Sequence, residues 1–121
     1  MTDWSAVVWG FVAGIVAGIA AFLVPVVGHV GAGLIAGFVA GYLAGGTLGS
    51  GAWHGLLAGA LGGVVLVVLT APIASLLGGA LGGPIGGVFS GLSVIVVGLV
   101  IAFVFALDSA VGGMIGAILA D

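Results

Sequence analysis

The sequence contains no Lys, Arg, Glu, Asn, Gln or Cys among its 121 residues, and its formal charge of −3 comes from three Asp residues. Each absence excludes something. Without Lys or Arg there is nothing to neutralise phosphates, so nucleic acid is not an expected partner. The same lack removes polybasic attraction to anionic lipid and leaves no cation from which membrane orientation could be read. Without Cys there is no disulfide, thiolate nucleophile or zinc–thiolate site, and the redox compartment stays open. Charged residues make up 2% of the chain, against about a quarter in ordinary soluble domains. A chain so poor in polar groups cannot cover its surface in water, which argues against a soluble enzyme and against a polar disordered chain.

What is present points to a membrane. Hydrophobic residues make up 64%, glycine adds 27 residues, and the mean hydropathy is +1.64. The expected fold is an all-α, polytopic integral membrane protein forming a single membrane domain over 1–121. A helix needs about 20 residues to cross some 30 Å of hydrocarbon. Four apolar runs approach that length: 4–24, closed by Pro25; 29–46; 51–71, closed by Pro72; and 88–107, closed by Asp108. The glycine-dense segment 73–87, which contains Pro84, reads as a loop, a re-entrant segment or a fifth span. Residues 109–121 are too few to cross and read as a short terminal helix. The N-terminus has no positive region before its apolar run, so that run is expected to be retained as a helix. A β-barrel would need strands alternating apolar and polar residues; the dominant spacing here is four, which favours helices.

That spacing belongs to glycine. Gly10, Gly14 and Gly18 mark the first run. Gly33, Gly37, Gly41 and Gly45 mark the second, and Gly51, Gly55, Gly59 and Gly63 the third. Lipid tails are as apolar as Leu, so helices in a bilayer are drawn together by close packing, and GxxxG stripes permit it. These eleven glycines are the candidate helix-packing residues. A shift of 45 residues superimposes Gly10, Gly14 and Gly18 on Gly55, Gly59 and Gly63, a faint sign of duplication. With four spans, the first and third helices run parallel and the others oppose them. That arrangement brings Trp4, Trp9, Trp53, Tyr42, Phe103 and Phe105 toward one side, where aromatic residues favour the interface.

Polar candidates are few. Asp3 and Asp108 precede expected helices and read as N-caps, as does Ser50; the functional alternative is a paired-carboxylate ion or proton site. His29 and His54 fall near helix starts at opposite ends of the spans, which argues against a shared metal site. His54, beside Trp53, is the better functional candidate of the two. His54, Asp108 and Asp3 are therefore the possible polar site. No catalytic set can be assembled: the serines lack a neighbouring base, and the glycine-rich runs lack the lysine of a phosphate loop. No metal or cofactor is implied.

The stretch 25–65, PVVGHVGAGLIAGFVAGYLAGGTLGSGAWHGLLAGALGGVV, together with the opening MTDW and the closing LDSAVGGMIGAIL, resembles a family of small haloarchaeal membrane proteins of unknown function. The resemblance spans nearly the whole chain. It implies a multi-pass helical protein of a halophilic cell membrane, and it implies no activity. At molar salt the Debye length is about 3 Å, so basic residues would gain little from distant anionic lipid.

The expected function is structural: a glycine-zipper protein, not an enzyme, that contacts membrane lipid and self-associates or packs against a membrane partner. The alternatives are an oligomeric channel or transporter, and a protein that binds lipid or carotenoid in its glycine grooves.

Overall fold

The computed structural model describes residues 1–120, apart from the side chains of Val26 and Val27. Three helical elements account for nearly all of it: α1 (Trp4–Ala21), α2 (Pro25–Ala44) and α3 (Leu48–Leu119). No strand occurs among the described residues. Trp4–Ala21 and Leu48–Leu119 are each long and apolar enough to cross a membrane.

The 72-residue α3 is not one straight rod. Gly83 has φ 68° and ψ −163°, a backbone region in which only glycine is at ease. There the chain reverses, leaving two limbs, 48–82 and 84–119. Pro84 follows at once; proline suits the first position of a helix because its missing N–H has no partner there anyway. The limbs lie antiparallel over their whole length. A methyl group at Gly51 would meet Gly113 and Ala117, one at Gly59 would meet Ala106 and Ser109, one at Gly63 would meet Ala102, and one at Gly78 would meet Gly86 and Ser90.

α1 and α2 form a second, shorter antiparallel pair in which Gly10 faces Ala36 and Ala40 and Gly14 faces Ala36. α2 runs parallel to the second limb: Gly33, Gly37 and Gly41 meet Asp108, Ser109 and Gly113 in turn. The result is four rods of alternating direction joined by tight reversals. The reversal between α2 and α3 uses Gly45 and Gly46, with φ of 61° and 82°.

Small residues are inside and large ones outside. The buried apolar set is almost entirely Ala (Ala6, Ala36, Ala40, Ala58, Ala102, Ala106 and Ala117 among them), and the largest fully buried side chains are Val7 and Ser109. Most Leu, Ile and Phe side chains are exposed along the rods, while Leu57 and Leu61 pack against the core of Val7, Ala40 and Ala58. Rod lengths also differ. At 1.5 Å per residue α1 and α2 are about 27–30 Å long, while each limb of α3 is about 52 Å. α1 is tied to the start of the first limb, so the far part of the hairpin extends some 20 Å past α1 and α2. Leu76, Leu81, Ile85 and Phe89 there are each more than 70% exposed.

Several expected boundaries move. Pro25 opens α2 instead of closing the first run, again as a first-turn proline. Pro72 lies inside the first limb, which continues past it; interior proline is tolerated where neighbouring groups re-satisfy the freed carbonyl. Segment 73–87 is helical on both sides of Gly83. Residues 109–119 continue the second limb without a break, so Asp108 is an interior helical residue, not a cap. Thr47, not Ser50, caps α3, its Oγ1 accepting the Ser50 N–H at 3.2 Å. The 45-residue duplication has no structural counterpart, because the first limb runs straight where α1 turns into α2. Asp121 lies outside the described residues.

Candidate functional site

The polar residues gather at the end of the molecule where α1 begins. Asp3 caps α1, its carboxylate accepting the Ser5 and Ala6 N–H groups at 3.0 and 3.2 Å. Its own N–H donates to His54 Nε2 at 2.8 Å. The opposite ring nitrogen, Nδ1, lies 2.7 Å from the Ser50 carbonyl oxygen, with the Ser50 hydroxyl at 3.4 Å. Nε2 must accept, so the proton sits on Nδ1 and donates to Ser50. His54 is 3% exposed and has both nitrogens in use. Beside it, the Trp53 indole N–H donates to the Thr2 hydroxyl at 3.0 Å. These bonds fasten the start of α1 to the first turns of α3.

The three residues of the possible polar site are divided. Asp3 and His54 meet through the Asp3 backbone, while the Asp3 carboxylate is engaged with its own helix. Asp108 lies elsewhere, on the second limb against Gly33 of α2. One of its oxygens, Oδ2, is buried without a hydrogen-bond partner. His29 is exposed, and its Nδ1 bonds the Pro25 carbonyl in its own helix. No cluster of three or more His, Asp or Glu side chains suited to a metal occurs among the described residues.

The glycines separate into two groups. Gly10, Gly14, Gly33, Gly37, Gly41, Gly51, Gly55, Gly59 and Gly63 each lie where an added methyl group would strike a neighbouring rod. Gly18 meets nothing, and Gly45 serves the turn instead of a contact. Sequence reasoning passed over the other side of these contacts. Ser109, Gly112, Gly113 and Gly116 form the face of the second limb that α2 and the first limb both touch. The Ser109 hydroxyl crosses to the Gly55 carbonyl at 2.7 Å. The signal was present in the spacing 109, 113, 117 and 112, 116, on a segment assigned to a short tail.

Trp4, Trp53 and Tyr42 lie toward the same end as Asp3. Phe103 and Phe105 do not: the second limb continues for about 20 Å beyond Phe105. Hydroxyls farther along the hairpin bond backbone carbonyls, Thr70 to Leu66, Ser75 to Gly87 and Ser93 to Phe89. Between the limbs an open groove of about 420 Å³ is lined by Gly63, Val67, Val97, Gly98 and Phe105 among others.

No curated protein and no solved structure matches the chain. A family model covers residues 4–119, all three helical elements. The chain therefore belongs to DUF5518, a family of unknown function.

Proposed function

We propose that this protein is a structural membrane protein. In this reading it crosses the bilayer four times, through α1, α2 and the two limbs of α3, and it associates with further copies of itself. The observation that carries it is the arrangement of small residues inside and large apolar residues outside. In water such a surface would aggregate; in lipid it is the ordinary exterior. The nine packed glycines act as a zipper within one chain, since their facing partners belong to the same chain. They are therefore not free to join copies together.

The surface best suited to association is the extended part of the α3 hairpin, where Leu76, Leu81, Ile85 and Phe89 are each more than 70% exposed. Its limbs, about 52 Å long, exceed a hydrocarbon core of some 30 Å. Accommodating them by tilt alone would need roughly 55°, beyond the usual range of up to about 40°. A second copy against the hairpin would cover the excess apolar length. Native mass spectrometry from native lipid tests this, comparing the wild type with the double substitution Leu81→Ser and Ile85→Ser. A homo-oligomer in the wild type and a monomer in the variant support the reading. A wild-type monomer, or a mass carrying a different protein, overturns self-association.

The groove between the limbs favours a second reading, the binding of a long apolar molecule such as a lipid chain or carotenoid. Its volume falls in the range of ligand sites. Under this reading the purified protein carries a co-purified lipid or pigment, detected by mass or absorbance, and Gly98→Phe removes it.

A further inference from the structure

The Asp108 carboxyl is the polar group that packing leaves unexplained. Its Oδ2 is buried and has no donor among the described residues. The carboxyl leans on the bare Cα of Gly33, in a space that a methyl group at that position would fill. An ionised carboxylate in such a place needs a cation or several donors. The chain supplies no Lys or Arg anywhere.

Each remaining titratable side chain among the described residues can be placed. On α2, His29 lies one turn before Gly33 and holds Pro25 through Nδ1, and Tyr42 lies nine residues past Gly33, about 13 Å along the helix. On the first limb, His54 has both nitrogens engaged. α1 offers Asp3, itself a carboxylate serving as a cap. On the second limb, the adjacent Ser109 hydroxyl is directed to Gly55.

We infer that Asp108 is a proton-binding site within the helical bundle. The bound proton makes the side chain a neutral carboxylic acid, with Oδ2 seated in the cradle at Gly33. Asp108 as a residue is only half-buried, which leaves the rest of the carboxyl reachable for proton exchange. Gly33 is a positioning residue, since only glycine leaves room for the carboxyl there. The inference rests on the membrane reading above, and its test separates the two.

The test is infrared spectroscopy of the protein in phosphatidylcholine–phosphatidylglycerol vesicles at neutral pH, in sodium chloride and again in choline chloride. The expected result is a protonated-carboxyl carbonyl band in both salts. The band is lost completely in Asp108→Asn and retained in Asp3→Asn. It shifts in frequency in Gly33→Ala, where the carboxyl is displaced. Dicyclohexylcarbodiimide, whose C=N bond takes up the O–H of a protonated carboxylic acid to form an O-acylisourea, then labels Asp108 in preference to Asp3. Circular dichroism and vesicle flotation confirm that each variant is folded and lipid-bound. A band absent in both salts, or unchanged in Asp108→Asn, overturns the site. A band seen only in choline chloride also overturns it, since the site would then hold sodium. Failure of the wild type to float with vesicles would sink the membrane reading itself.

Discussion

At Gly37 the distance between a close helix contact and a clash is one methyl group. The Ser109 carbonyl occupies the space that a Cβ would need, and the Ser109 backbone is fixed from its other side by Gly55. Over-packing of this kind costs about 1–3 kcal/mol. Gly37→Ala is therefore expected to lower unfolding stability by that amount in a detergent-titration experiment. Gly18→Ala, with open space around it, is expected to be neutral or to stabilise by up to about 1 kcal/mol through helix propensity. Equal effects at the two positions would remove the distinction between packed and free glycines. His54 makes a different residue-level case. Phe at this position removes the acceptor of the Asp3 N–H and leaves that donor unmatched, a cost of about 1–3 kcal/mol. His54→Phe is expected to accelerate amide exchange in the first turn of α1 while leaving the Gly83 end unchanged.

At the scale of the element, the reversal at Gly83 makes a hairpin of what hydropathy alone would render as a continuous apolar stretch. With φ at 68° and ψ at −163°, any side chain there is strained by about 1–3 kcal/mol. Gly83→Val is expected to separate the limb ends. The chain has no cysteine, so spin labels can be placed cleanly at Leu76 and Phe89, and their distance distribution should broaden and lengthen in the variant. An unchanged distribution would mean that the limb contacts around Gly78 and Ser90 hold the turn by themselves.

Proline and aspartate explain why the elements were only partly legible from sequence. The same rule that makes proline a poor interior residue makes it a good first residue, and Pro25 and Pro84 follow the second half of the rule. Pro72 follows neither, because a packed hairpin carries it through. Asp108 resembled a boundary because a lone acid interrupts hydropathy; reading it so cut the second limb short. That in turn hid the packing face of Ser109, Gly113 and Gly116. The helical class and the glycine positions were legible because period four depends only on the chain itself. Their partners across the bundle depend on where the chain turns, which glycine-rich sequence marks weakly.

For the whole molecule, the mismatch in rod length matters most. A body of four rods about 30 Å long matches a bilayer core, and a two-rod extension of some 20 Å does not. If the extension is covered by a second copy, Leu81 is shielded from both water and lipid. A spin label at Leu81 should then show low accessibility to polar and to apolar relaxation agents alike in the wild type. In an otherwise identical chain carrying Ile85→Ser, accessibility should rise. High accessibility to the polar agent in the wild type would place the hairpin end uncovered in water.

The Gly82–Gly83–Pro84 reversal also bears on biogenesis. A growing chain normally leaves a polar loop behind on one side of the membrane as successive segments insert. Here the turn has no charged or amide side chain to hold it back, and the limbs it joins carry one histidine, His54, and one acid, Asp108, both far from the turn. The first limb cannot bury Gly51, Gly55, Gly59 and Gly63 until the second is present, since the second limb supplies the groups that face them. In the membrane reading proposed above, the two limbs therefore partition as one unit, with α1 and α2 already in place to receive the face at Ser109 and Gly113. Closure of this fold thereby waits on the second limb, whose face at Ser109, Gly112, Gly113 and Gly116 meets both α2 and the first limb.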